Sequence, residues 1–365
     1  MGFVIFISLA QAIIFAGHIF LYSSFVHFFK VTDWPILLFL KLGLLALSFS
    51  FLSSSLLVHW LDNPITRALY YVSSIWLGLL FYIFLGFYLI WTMLLFARIF
   101  SFGVNTAFLA TAMIVMASSF TAYGVINAAN PVLHYIDVRI SNLPDGWKGR
   151  KAVQISDVHL GAINRQGFLK RVVDTANSVD PDIVFITGDL FDGIGDDPSH
   201  LCEPLRFLVN RQGVYFISGN HETYLGIEKA AAAVSNLHIT VLRDSLIEID
   251  GVQILGIDYP MPGERRNFDA ILGKIDRARP SILLFHSPVN IAGFKESGVS
   301  LQLSGHTHRG QLWPLNYVTR MIYRGFDYGI SADGAFAIYT TCGTGTWGPP
   351  MRIGNRPEIV VINFL

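Results

Sequence analysis

Leu301-Gln302-Leu303-Ser304-Gly305-His306-Thr307-His308 decides how this chain is read. A brief apolar run, Leu301–Leu303, reads as a buried strand, a glycine closes it, and two histidines follow at i and i+2. Side chains two apart on an extended segment project to one side. Such a pair makes a poor turn and a good metal clamp. The same grammar recurs four times upstream. Val153–Ser156 runs into Asp157-Val158-His159, and Ile183–Thr187 into Gly188-Asp189 with Asp192 three residues on. Val214–Ser218 runs into Gly219-Asn220-His221-Glu222, and Ile282–Phe285 into His286-Ser287-Pro288. Ile254–Ile257 and a closing Ile359–Phe364 also read as strands, and 166–178, 199–210, 225–236 and 267–277 have helical length and spacing. This alternation argues for an α/β architecture, in which ligand sites form beyond the carboxyl ends of strands. A lone Asp-x-His or Gly-Asp is an ordinary turn; five strand ends delivering Asp, Asn and His to one edge is not.

The first 130 residues obey a different rule. They hold six charged side chains, Lys30, Asp33, Lys41, Asp62, Arg67 and Arg98, and four apolar stretches near 3–26, 35–58, 69–97 and 104–126. Each reaches the roughly 20 residues needed to cross a bilayer. Tyr22, Trp34, Trp60, Tyr70, Tyr71 and Trp91 flank them as interfacial residues do, and Ala107, Ala110, Ala112, Ala117, Ser118 and Ala122 suit close packing of the fourth. No Asp or Glu falls within a stretch, so the half reads as an anchor rather than a coupled transporter. His18 reads as a hydrogen-bonded packing residue. The expected organisation is a four-helix transmembrane domain over 1–130 and an α/β domain over 131–365. The chain has 26 basic and 26 acidic side chains, of which 22 and 24 follow residue 130. That balance lacks the basic footprint of a general nucleic-acid binder. Cys202 and Cys342 have neither CxxC nor zinc-ribbon spacing and read as buried free thiols.

The ordered motifs across residues 150–310 resemble the calcineurin-like metallophosphoesterase superfamily, and Thr344–Arg352 with Pro357–Ile362 resemble its bacterial membrane-anchored branch. The resemblance implies a four-layer αββα sandwich. It implies that Asp157, His159 and His308 hold one divalent ion, that Asn220, His286 and His306 hold a second, and that Asp189 bridges them. It casts His221 as the acid for the leaving group and Asp192 as its orienting carboxylate. Mixed carboxylate, amide and imidazole donors suit Mn²⁺, Fe or Zn²⁺. Two such ions about 3.5–4 Å apart clamp a phosphoryl group and lower the pKa of water between them. Protein Ser/Thr phosphatases place Arg-Gly after the second Asp of this motif; here Gly193-Ile194 follow Asp192, which argues against that branch. Arg309, Gln311 and Arg352 are substrate-side candidates, each also readable as a surface salt bridge or polar residue.

The expected function is a membrane-anchored dinuclear phosphoesterase cleaving phosphodiester or pyrophosphate bonds of a lipid-linked or membrane-associated substrate. A UDP-linked diacylated sugar is one example of such a substrate. The alternatives are a nuclease or cyclic-nucleotide phosphodiesterase with the same site, and a non-enzymatic scaffold on a dead fold. The resemblance implies a cell-membrane protein with its catalytic domain on the extracytoplasmic face. Arg139, Lys148, Arg150 and Lys151 count the other way.

Overall fold

The computed structural model describes residues 2–193, 198–264 and 266–365, with side chains at Ile5 and from Ile7 onward. Four helices come first: α1 (Gly2–Phe29), α2 (Trp34–Trp60), α3 (Pro64–Phe100) and α4 (Thr106–Ala128). All four are long and apolar enough to cross a membrane. Asp33 caps α2 by accepting from Ile36 N–H, and Asn63 caps α3 in a capping box with Thr66; each cap precedes a proline-containing first turn. The helices are joined by specific polar contacts. Trp76 donates to His18 Nε2 at 2.9 Å, while His18 Nδ1 lies 2.8 Å from the Ile14 carbonyl. Both ring nitrogens are therefore occupied in packing, as expected of His18. Trp91 donates to Ser24 (2.8 Å), and the Ser54 and Ser73 hydroxyls meet at 2.6 Å. Ala110 and Ala117 are buried on α4.

The second unit is built on two six-stranded sheets. Its strands are β1 (Val132–Val138), β2 (Lys151–Ile155), β3 (Ile183–Thr187), β4 (Val214–Ile217), β5 (Thr240–Val241), β6 (Ser245–Ile249), β7 (Val252–Gly256), β8 (Ser281–Leu284), β9 (Leu301–Ser304), β10 (Gly329–Asp333), β11 (Phe336–Thr340) and β12 (Glu358–Phe364). The orders are β1-β12-β2-β3-β4-β5 and β10-β11-β9-β8-β7-β6. β2 to β5 run parallel, as do β7, β8 and β9. The helices of this unit include α5 (Gln166–Asn177), α6 (Ser199–Cys202), α7 (Asn220–Leu225), α8 (Ile227–Ser235), α9 (Asp269–Leu272), α10 (Ile291–Glu296) and α11 (Leu315–Ile322).

Alternation along single strands divides the core into layers. On β3, Ile183 and Phe185 point between the sheets, joining Ile217, Ile254, Leu284, Leu303 and Ile362. Val184 and Ile186 point outward onto Leu169, Val172, Val173 and Val234. The outer face of the second sheet packs Leu255, Leu283 and Ile338 against Ile271, Leu272 and Phe294. Both faces of the central strands are thus buried, which is why they read as unbroken apolar runs. The result is the four-layer αββα sandwich. Expected helices 199–210 and 267–277 shrink to α6 and α9. Glu203–Phe207 after α6 is a 3-10 turn containing Pro204, and Gly273 closes α9. β1, β5, β6, β10 and β11 were not anticipated.

Compact units are 1–126 with 348–351, and 127–347 with 352–365. The short segment Gly348–Met351 therefore falls outside the two-block division at residue 130. Cys202 and Cys342 are both buried and form no disulfide.

Candidate metal centre

Register places the ligand-bearing strand ends level. Ile155, Ile186 and Phe216 pair across β2, β3 and β4. Gly256, Leu284 and Leu303 pair across β7, β8 and β9. Each chain then leaves its sheet through a sharp turn. Asp157, His159, Asp189, His306 and His308 all have φ between 48° and 72°, a left-handed conformation that disfavours residues bearing a Cβ. Strain of this kind persists where the surrounding structure over-determines it, and it clusters at functional sites. Two glycines let the turns close together. A Cβ on Gly219 would stand 2.2 Å from Asp189 Oδ1, and one on Gly305 would stand 2.2 Å from Asp157 Oδ2.

The turns bring the side chains into three overlapping groups. Asp157, His159 and His308 offer ligand atoms within 4.8 Å of one another, as do Asp189, His286 and His306, and His159, Asp189 and His221. Asp189 Oδ2 lies 3.1 Å from His286 Nε2 and 3.9 Å from His159 Nε2, between the first two groups. His308 Nε2 is 2.9 Å from His159 Nε2 and 3.4 Å from Asp157 Oδ1. Asn220 opens α7 with its Oδ1 buried.

These donors fit divalent metal. Asn220 Oδ1 and His286 Nε2 are buried with no hydrogen-bond partner, an arrangement that costs about 1–3 kcal/mol per group unless something else satisfies it. Two imidazole nitrogens at 2.9 Å are also well spaced for one ion, since bonds of about 2.1 Å at right angles separate their ends by about 3 Å.

The remaining polar atoms hold the ligands in place. His286 Nδ1 lies 2.7 Å from the Thr187 carbonyl, so its N–H donates there and Nε2 faces inward. Asp157 accepts from His306 N–H (2.9 Å) and Asp189 from His221 N–H (2.9 Å). His221 Nδ1 sits 2.9 Å from the Asp192 carbonyl oxygen, whereas the Asp192 carboxylate is 3.9 Å away. That carboxylate stands nearer His159 Nδ1, at 3.6 Å. Asp192 therefore orients His221 through its backbone and turns its charge toward His159, a division that differs from the expected side-chain pairing. Ile194, of the Gly193-Ile194 departure, lies outside the described residues.

Electrostatics sort the histidines. Burial, with repulsion from His286, pushes His306 down to about 3. Burial, His159 and Arg352 hold His308 well below the usual histidine range, and burial and His159 lower His221. These three are neutral at pH 7 among the protein groups alone, the form that binds metal. Burial also opposes charge on His286, but Asp189 and Asp157 outweigh it and lift His286 to about 10. Burial pushes Asp157 up, while Asp189, despite burial, is held well down by His286, His221 and His159.

Glu222 has no role among those the resemblance implies. It is fully buried and accepts from Asp189 N–H (2.9 Å), Phe191 N–H (3.1 Å) and Gly219 N–H (2.6 Å), tying the β3 and β4 turns together. A Glu three residues after a helix N-cap was the signal that could have found it. Arg352 is neither a surface salt bridge nor free to grip substrate. Fully buried, it donates to the Gly345 carbonyl and Asn355 Oδ1, with Nη2 3.1 Å from His308 Nδ1. Arg309 stacks over Tyr328 at 4.2 Å, and Gln311 brackets the Trp347 backbone. Beside His306 opens a cavity of about 1020 Å³, lined among others by Tyr259, Asn290, Lys295, Tyr323 and Arg324.

Comparison with known proteins agrees with this architecture. Residues 150–310 match the calcineurin-like phosphoesterases. An uncharacterized metallophosphoesterase of Aquifex aeolicus is 32% identical over 237 residues, 62% of this chain and 89% of its own. The transmembrane protein with metallophosphoesterase domain of Danio rerio is 33% identical over 271 residues, 68% of this chain and 61% of its own. An uncharacterized metallophosphoesterase of Helicobacter pylori is 31% identical over 223 residues, 60% of each chain. The chain belongs to the calcineurin-like phosphoesterase family. It spans about three fifths of the length of the first curated relatives it matches.

Proposed function

We propose that this chain is a membrane-anchored, dinuclear metal-dependent phosphoesterase that hydrolyses phosphodiester or pyrophosphate bonds in a lipid-linked or otherwise membrane-associated substrate. The observation that carries the reading is the buried donor set: Asn220 Oδ1 and His286 Nε2 make no hydrogen bond, and His159 and His308 turn their Nε2 atoms to within 2.9 Å of each other, around two buried carboxylates. Asp157, His159 and His308 would hold one divalent ion and Asn220, His286 and His306 the other. Asp189, whose Oδ2 lies 3.1 Å from His286 Nε2 and 3.9 Å from His159 Nε2, would contribute to both. The mixed donor set suits Mn²⁺, Fe or Zn²⁺. When bound, such a pair supplies Lewis acidity toward phosphoryl oxygens and makes water more acidic.

The chain's own groups do the rest. His221 keeps its Nδ1 proton on the Asp192 carbonyl, so Nε2 is the nitrogen that gives a proton to the leaving oxygen. Burial keeps His221 neutral in the free site, and an arriving phosphate's negative charge raises its proton affinity. Glu222 fixes the turn that carries Asp189, and burial, with His159 and Arg352, keeps His308 unprotonated. The cavity beside His306 has room for the part of the substrate not being cleaved. Four membrane-length helices argue for a substrate held at the bilayer. The resemblance assigns the catalytic unit to the extracytoplasmic face, which labelling an introduced surface cysteine in intact cells tests. The slightly acidic balance after residue 130 disfavours the nuclease reading. Purified full-length chain with Mn²⁺ should hydrolyse bis(p-nitrophenyl) phosphate, and Asp189→Asn should abolish that hydrolysis; full activity in the variant would end the assignment.

A further inference from the structure

The segment that follows the His306/His308 pair carries a helix turned inside out. In α5, Phe168, Leu169, Val172, Val173 and Ala176 are buried while Lys170, Arg171 and Asp174 are exposed, the ordinary arrangement for a surface helix. In α11 the half-buried residues are Asn316 and Thr319. Thr319 Oγ1 donates to the Asn316 carbonyl (3.0 Å) and lies 3.3 Å from Asp327 Oδ2. Leu315, Val318, Met321 and Ile322, at i, i+3, i+6 and i+7, are exposed, Met321 to 74%. Trp313 and Tyr317 are exposed beside them.

Three observations identify the occupant of this face. The chain carries four helices of membrane length, so a bilayer is at hand. Only residues 129–131 separate α4 from β1, a reach of roughly 10 Å even when extended. From His306 to Phe326 there is no Asp or Glu, whereas Arg320 and Arg324 flank the apolar residues, a charge pattern complementary to anionic headgroups. Tryptophan and tyrosine at the edge of an apolar face, with Arg beside it, is the composition of a helix lying in the membrane interface.

We propose that α11 lies in the bilayer interface, with Leu315, Val318, Met321 and Ile322 among the upper acyl chains. The clamp formed by His306 and His308, seven residues upstream of the helix at its nearer member, is then held at headgroup level. A phosphate carried on a lipid reaches it without leaving the membrane surface. The substrate class this names rests on the phosphoesterase reading, but the placement of α11 does not depend on turnover.

The test uses full-length protein in phosphatidylglycerol/phosphatidylcholine vesicles. An environment-sensitive fluorophore is placed at Met321→Cys, with Asp174→Cys on α5 as the reference; Cys202 and Cys342 are buried and stay unlabelled. Lipids carrying a doxyl quencher near the headgroup should quench the label at 321 at least twofold more than that at 174, regardless of protein density. Val318→Cys, on the same face, should repeat the result and stands in if the first variant does not fold. Equal quenching at 321 and 174 overturns the proposal. So does a spectral shift that grows with protein density and ignores the quencher, which would assign the face to a second copy of the chain. Failure to hydrolyse a soluble aryl phosphodiester would remove the phosphoesterase reading and leave this measurement unaffected.

Discussion

The helical and α/β units treat buried polar atoms in opposite ways. In the helices, hydroxyls close onto their own backbone: Ser48 onto the Leu45 carbonyl, Ser54 onto Phe51, Ser74 onto Tyr70. His18 has both nitrogens engaged. A polar atom without a partner is costly in lipid, and most of these hydroxyls are satisfied locally, with Thr121 Oγ1 on α4 the exception. At the strand ends of the second unit, Asn220 Oδ1 and His286 Nε2 make no hydrogen bond, beside turns whose backbone at Asp157, Asp189 and His306 is left-handed. What sets the strand-end atoms apart from other unsatisfied ones, such as Thr121 Oγ1 and Thr340 Oγ1, is the cluster of carboxylates and imidazoles around them.

Substitutions should separate the two regimes. Asp189→Asn should have the largest effect. Lewis-acid stabilisation worth several kcal/mol corresponds to a loss of about 10³-fold or more in kcat, read with an aryl phosphodiester, and metal content should fall as well. His221→Ala should lower kcat by about 10²-fold with metal content unchanged, and the loss should shrink for substrates with an acidic aryl leaving group. A uniform loss across leaving groups would show that His221 is not the proton donor. Glu222→Gln should weaken metal affinity or activity by about 10–100-fold, measured by chelator competition, because it loosens the Asp189 turn without removing a ligand.

Acidity gives the next effect. His286, lifted to about 10, carries a proton that an ion must displace. Apparent metal affinity should therefore rise with pH below that value, by up to about tenfold per unit for each proton released. Calorimetry in buffers of different ionisation enthalpy counts those protons; flat affinity would contradict the assignment of His286. The smallest effect belongs to the helices. Ser54→Ala removes one interhelical hydroxyl contact and should cost about 0.6 kcal/mol in unfolding from detergent, with activity unchanged.

Much of this was legible because the site's chemistry is local to strand ends. The runs before Asp157, Asp189, Asn220, His286 and His306 are apolar on both faces because both sheets are buried on both sides, and each stops where a turn begins. The four apolar helices were equally plain. What the chain did not announce was cooperation between distant segments. Arg352 reads as an isolated charge after Trp347-Gly348-Pro349-Pro350, yet it folds onto His308, 44 residues away. Asp192 looked like a carboxylate partner for His221, but a carbonyl, which no side-chain pattern records, makes the contact. α11 was not among the expected helices, and even its apolar spacing would not have told which side it turns inward.

The central claim is that the open ligand atoms exist to hold two catalytic ions. The most direct test strips the purified full-length chain of metal with a chelator, then titrates Mn²⁺ back while following bis(p-nitrophenyl) phosphate hydrolysis and bound metal together. Activity should vanish on stripping and return as occupancy approaches two ions per chain. Stripped protein that retains its activity would contradict the account.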